Sequence, residues 1–357
     1  MKNKFFLLFL ILLLFITPIK KSSVINLFLI YIAGDNDLYQ NALDDISELK
    51  RGIKKNIKVI ALFDGLYDTK LVEIFENKEN IIKTYKNLNS GDPEVLYSLI
   101  NFGLSKYNPD NLILVLWGHG DGRNFKGGTF KGVCFDENSN DYLTIQEIKE
   151  VLEKIYKNYN RKTDILMFDA CFMQSIEVSY ELKDFVDYII GSQAYIPLDG
   201  FPYDDIFSNL SNLNVVDLRP QIIAHEIVSS YFNSYNSGSQ GKEEIQISVI
   251  YTKESENILK FLKERIYELK NKDSLLEVRK KHLIPLNNKY VDFFEFFRNY
   301  YPNILNYQNE LILVNKNSFK DPLSGVSFYF PEYYLPINLS FFRESGFENV
   351  LWFLFSY

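Results

Sequence analysis

Three histidines and two cysteines stand in a chain of 357 residues, so the surroundings of each can be weighed separately. His119 follows the apolar run from Leu112 to Trp117 in "LILVLWGHGDG" and sits between Gly118 and Gly120. Cys171 follows a second apolar run, in "DILMFDACFMQS". A thiol is a useful nucleophile as a thiolate, and a nearby imidazole favours that form or carries its proton. A histidine and a cysteine at the ends of two buried strands therefore suggest nucleophilic chemistry, provided the two ends meet. Gly120 has no side chain to keep its N–H from a reacting carbonyl. With the N–H of Cys171 it makes a candidate oxyanion hole. Cys134, inside "GVCFD", has no histidine nearby and reads as a structural thiol. His225 and His282 have no partner motif, and no pair of Cys or His residues has zinc-ligand spacing, so no metal is assigned to them.

The two strand ends need a scaffold. Buried strands are predicted over residues 24–32, 57–63, 112–117, 164–168, 188–191 and 245–251, with a hairpin over 70–85. Helices are predicted from Asp92-Pro93, a cap followed by a first-turn proline, and from the capping box formed by Thr144 and Glu147. A further helix is expected directly after Cys171, where its positive end would favour a thiolate. Uninterrupted apolar strands alternating with helices imply an α/β fold, a mostly parallel sheet covered on both faces. Ligands in such sheets bind outside the carboxyl ends of the strands, and both His119 and Cys171 lie there.

Three regions are expected. Residues 1–21 combine Lys2 and Lys4, an apolar run of residues 5–16 and the breaker Thr17-Pro18, the pattern of a signal peptide. The run falls short of the roughly 20 residues of a membrane span, so export is expected, with an uncleaved membrane anchor as the alternative. The product is then secreted, or held at the cell surface or in the periplasm. Residues 22–252 form the catalytic domain and 253–357 a smaller C-terminal α/β region. With 46% hydrophobic and 24% charged residues the chain is globular, and its net charge of −7 argues against nucleic-acid binding. A monomer is expected.

"LWGHGDG", "MFDACFMQSIEVSYEL" and "GSQAYIPLDGFPY" resemble the clostripain family of cysteine peptidases, in the wider group of caspases, gingipains and legumain. "YIAGDNDL" and "GVSFYFPE" extend the resemblance over essentially the whole mature chain. It implies a caspase-like three-layer sandwich and a catalytic dyad of His119 and Cys171, with no obligatory third member. It also implies cleavage of protein or peptide substrates after Arg or Lys, with Asp169 and Asp199 as acids of the S1 pocket. Two carboxylates in a narrow pocket suit a guanidinium or ammonium group. Read from the residues alone, Asp169 also fits a helix cap and Asp199 a turn before Gly200. Phe172 and Phe201 stand where relatives often have Leu and Trp. The family is typically processed between the His and Cys strands. Here "GRNFKGGTFKG" offers Arg123, Lys126 and Lys131 among four glycines, and "YKNYNRKT" is a second candidate.

No cofactor is required by this chemistry. Some relatives depend on calcium, and "AGDNDL" and "FDENSND" carry the oxygen donors that calcium takes, although neither fits an EF-hand loop. Two other functions compete: a non-catalytic surface binding module that keeps the fold, and a generic thiol redox protein.

Overall fold

The computed structural model describes residues 24–54, 57–121, 132–213, 218–332 and 339–355. The expected leader, residues 1–21, and the processing candidates Arg123, Lys126 and Lys131 lie outside them. The first strands are β1 (Asn26–Ala33), β2 (Ile57–Asp64), β3 (Thr69–Phe75), β4 (Lys78–Tyr85) and β5 (Asn111–Trp117). A small ribbon of β6 (Gly132–Asp136) and β7 (Asp141–Thr144) precedes β8 (Thr163–Asp169), β9 (Val186–Gly191) and β10 (Gln246–Tyr251). Last come β11 (Tyr290–Asp292), β12 (Ile312–Asn317) and β13 (Ser327–Tyr329).

Nine of these strands make one sheet in the order β12-β10-β9-β8-β5-β1-β2-β3-β4. The five central strands, β2, β1, β5, β8 and β9, run parallel. Antiparallel strands flank them on both sides. Alternate residues of a strand face opposite sides. Along β1, Phe28, Ile30 and Ile32 therefore face one core, and Leu27, Leu29 and Tyr31 face the other. The first core is covered by α1 (Tyr39–Gly52), with two later helices over residues 203–212 and 220–235. The second is covered by α2 (Pro93–Lys106), α3 (Ile145–Tyr159) and α4 (Ile176–Leu182). This is the three-layer α/β sandwich expected from the sequence. No helix among the described residues is long and apolar enough to cross a membrane.

Residues beyond 252 give β12 to the central sheet and pair β11 with β13 beside it. Their phenylalanines, including Phe293, Phe296, Phe297 and Phe328, share a core with Phe172, Ile176 and Tyr180 of the Cys171 segment. The change of composition near residue 252 is thus not a break in packing.

One expectation fails near the site. The helix after Cys171 starts only at Ile176, with Ser175 as its cap. The chain first turns through Phe172, at φ +61°, and is tied to the next loop by Phe172 N–H to Ala194 O and Gln174 N–H to Ser192 O. Helix-terminal fields fall off within one turn, so Cys171 does not gain the help anticipated for it. The two caps read from sequence do form. Asp92 accepts from the N–H of Glu94, and Thr144 and Glu147 make the reciprocal box. Thr144→Ala is expected to lower unfolding free energy by about 1 kcal/mol while leaving the activity of folded protein unchanged. Urea titration followed by activity at equal folded concentration checks this.

Candidate active site

The site begins with strand register. β5 and β8 pair in parallel up to Trp117 opposite Asp169, and the N–H of Gly118 donates to the Asp169 carbonyl at 3.1 Å. His119 and Cys171 each lie two residues past that last pair, so they emerge side by side. Gly120 brings them together. A Cβ at Gly120 would sit 2.2 Å from the Cys171 carbonyl oxygen and 2.8 Å from its nitrogen, a space only glycine can enter. His119 and Cys171 line one narrow cleft of about 70 Å³, together with Leu38, Trp117, Asp169 and Ile196.

His119 has a carboxylate partner that its sequence neighbourhood does not reveal. Its Nε2 lies 2.6 Å from Asp37 Oδ1. An exposed carboxylate accepts only, so the ring proton belongs on Nε2, and Nδ1 is the nitrogen able to accept a proton. Asp37 reaches this position from the turn after β1. Asn36 pins that turn by donating to the carbonyls of Ala33 at 3.0 Å and Phe135 at 2.7 Å. The N–H of Cys134 in turn holds the His119 carbonyl at 3.1 Å. Asp37 and His119 are 82 residues apart, and only the shared sheet edge connects them.

The Cys171 sulfur accepts from the N–H of Ile196 at 3.3 Å. Burial raises its pKa above the ordinary thiol value; the Ile196 N–H offsets part of this and the charge of Asp169 adds to it. The thiol is therefore protonated near neutrality, and a base must take its proton before attack. Cys134 is fully buried in the second core at φ +61°, its thiol also pushed up by burial. Both cysteines are free, so the two do not form a disulfide.

Asp169 lies buried in the cleft wall, accepting from Tyr203 Oη at 2.8 Å and from the N–H of Phe201 at 3.4 Å. It does not cap a helix; Ser175 does that. Its carboxylate neighbour is Asp45 from α1, which accepts from Trp117 Nε1 at 2.6 Å. Gly200, at φ +59°, fits between them: a Cβ there would lie 3.2 Å from Asp169 Oδ2 and 3.5 Å from Asp45 Oδ2. Burial pushes both carboxyls well above the usual carboxylate range, and the charge of Asp169 pushes Asp45 further. Asp199 is exposed, and its side chain does not line the cleft, although Leu198 and Gly200 on either side do. Asp45 was missed in the sequence, yet it leaves a signal there. It falls on the apolar face of α1 marked by Ala42, Ile46 and Leu49, where a charge is out of place.

The remaining candidates lie elsewhere. His225 is near Ser229 on its own helix, and His282 is near Asn299. In the second processing candidate Lys157 is helical and Arg161 pairs with Asp164. Asp35, Asp64 and Asp136 form a separate acidic group at the same sheet edge.

Residues 30–327 match the model of the clostripain family. Clostripain of Hathewaya histolytica is 25% identical over 394 residues, covering 84% of this chain and 73% of that protein. A secreted C11 cysteine protease of Bacteroides thetaiotaomicron, solved with an irreversible peptide inhibitor, superposes with a TM-score of 0.72 at 22% identity. That alignment covers 91% of this chain and 99% of the other. An inactive zymogen C11 protease of Parabacteroides distasonis gives 0.70 at 20% identity, with the same coverage. At these identities the structures establish the likeness of fold.

A protonated, half-buried thiol makes a kinetic prediction. Alkylation of Cys171 by iodoacetamide should keep accelerating as pH rises above 9, because the thiolate fraction is still growing there. Stopped-time labelling with mass spectrometry measures it. A rate already level between pH 6 and 8 would mean a preformed thiolate.

Proposed function

The chain belongs to the clostripain family and is a cysteine peptidase of that kind; on that premise we propose that it is an exported endopeptidase cutting after Arg or Lys. One observation carries the reading: His119 and Cys171 line a single cleft whose wall holds the buried Asp169. Nδ1 of His119 takes the thiol proton and the Cys171 sulfur attacks the scissile carbonyl. The N–H groups of Gly120 and Cys171 receive the oxyanion. The imidazolium then protonates the leaving amine, which departs and leaves an acyl thioester. Water, losing a proton to His119, hydrolyses the thioester and restores the thiol. Asp37 acts through His119, holding the ring tautomer that these transfers need.

Specificity follows from the acids. Two buried carboxyls with raised pKa hold protons that a guanidinium or ammonium group would displace, exchanging a strained pair for charge-assisted hydrogen bonds. Asp169 is the main contact in this reading, with Asp45 behind it and Asp199 at the rim. Export rests on residues 1–21, with membrane attachment as the alternative fate of that segment. Self-processing rests on Arg123, Lys126 and Lys131, which match the proposed specificity and directly follow the His119 turn. The relative described as an inactive zymogen is consistent with such a precursor.

Digestion of a proteome-derived peptide library by the purified enzyme tests the function. Cuts after Arg and Lys are expected. Cys171→Ala should show none. Asp169→Asn should lose about 10²-fold or more in kcat/KM for basic substrates, and Asp45→Asn less, mainly through KM. N-terminal sequencing of wild type should find a terminus shortly after one of the three basic residues, absent from Cys171→Ala. A preference for acidic or apolar P1 residues contradicts the basic pocket. An active enzyme in one piece contradicts self-processing.

A further inference from the structure

The C-terminal residues build a groove that the peptidase reading does not use. Its volume is about 810 Å³, and none of its lining residues also lines the cleft of His119 and Cys171. One wall includes the short turn Ile266–Glu268, which follows the helix Ser255–Lys263. The other comes from the helices Ser340–Ser345 and Phe347–Phe355. That second wall lies beyond residues 30–327, the stretch that matches the family model. Gly346 joins its two helices at φ +80°, and a Cβ there would stand 3.1 Å from Ile266 Cγ2. The corner between the helices thus packs directly on the first wall.

The groove is apolar at its floor and cationic at its rim. Ile266, Leu269 and Val350 line the floor, each only 4–6% exposed. Tyr267 and Phe353 reach it from opposite walls and are 63% and 42% exposed. Large rings left open around an apolar concavity mark a binding site. Lys263, Lys270 and Arg343 are exposed on the same lining, and none of them forms an ion pair among the described residues. The carboxylate on the lining, Glu344, accepts from Tyr180 Oη at 2.7 Å. In a chain of net charge −7, three cations around one apolar groove repel one another until an anion joins them.

We propose that this groove binds one long-chain fatty-acid anion. The acyl tail lies along the floor between the rings of Tyr267 and Phe353. The carboxylate meets the cations of the rim, where the Arg343 guanidinium can grip both of its oxygens. The volume falls within the roughly 300–1,000 Å³ of small-molecule sites. A bilayer surface is met by a protruding apolar face, whereas this one is concave. The chain's own apolar run, residues 5–16, is excluded by charge. Lys2, Lys4, Lys20 and Lys21 flank it and would face three more cations. The assignment does not depend on the peptidase reading.

Calorimetric titration of purified full-length Cys171→Ala protein with sodium dodecanoate, kept below its micelle concentration, tests the site. One anion per chain is expected. Dodecanol, the same tail without the charge, should bind about tenfold or more weaker, and acetate, the charge without the tail, should not bind. Lys270→Glu combined with Arg343→Glu should also weaken dodecanoate about tenfold or more, with Tm in the absence of ligand unchanged. Both residues are exposed, so the variant should fold; Lys263→Glu serves if it does not. Absence of saturable dodecanoate binding by the parent protein overturns the site. So does equal binding by dodecanol, or by a folded variant. Attachment to phosphatidylglycerol vesicles without binding of monomeric dodecanoate overturns the single-molecule assignment in favour of a bilayer surface.

Discussion

Parallel pairing of two strands to a common end is the constraint on which the rest depends. Trp117 faces Asp169 across β5 and β8, and the Gly118 N–H extends the ladder by one bond. The histidine and the cysteine follow at equal distance from that end. Gly120 lets the two loops close until backbone touches backbone. Every other feature of the site attaches to this junction. Asp37 reaches His119 from the adjoining β1, and Ile196 reaches the thiol from the loop after β9. A one-residue slip in this register would carry His119 and Cys171 to opposite faces.

The site is also organised by buried acid. Asp169 lines the cleft with Asp45 beside it across Gly200, while Asp35, Asp64 and Asp136 share another part of the same edge. Buried carboxylates without countercharge destabilise a fold, so groups placed this way point to something they await. In the proposed reading a basic substrate side chain answers the first set. Trp117 joins the buried acids to the His119 loop, since its indole holds Asp45 while its backbone ends the strand that carries His119.

Much of the fold could be read in the sequence because its central strands are buried on both faces and so appear as unbroken apolar runs. The β5 and β8 runs located His119 and Cys171, and the glycines around His119 marked the close approach. Long-range pairing is another matter. Asp37 and Asp45 serve residues 72 or more positions away, and no local pattern encodes that partnership. The turn after Cys171 was misread as helix because its residues suit a helix. Tertiary bonds from Phe172 and Gln174 to the neighbouring loop override that preference. Asp199 stood in the right segment, but its side chain is exposed while its neighbours line the cleft.

The central claim is that Cys171, opposite His119, is the nucleophile of a pocket made for basic side chains. Incubating the folded protein with a peptidyl chloromethyl ketone bearing Arg at P1, then peptide mapping by mass spectrometry, tests it most directly. The account predicts one adduct per chain, on Cys171, formed much faster than with an Asp-bearing analogue and slowed by His119→Ala. Modification at Cys134, or equal rates for the Arg and Asp reagents, would contradict it.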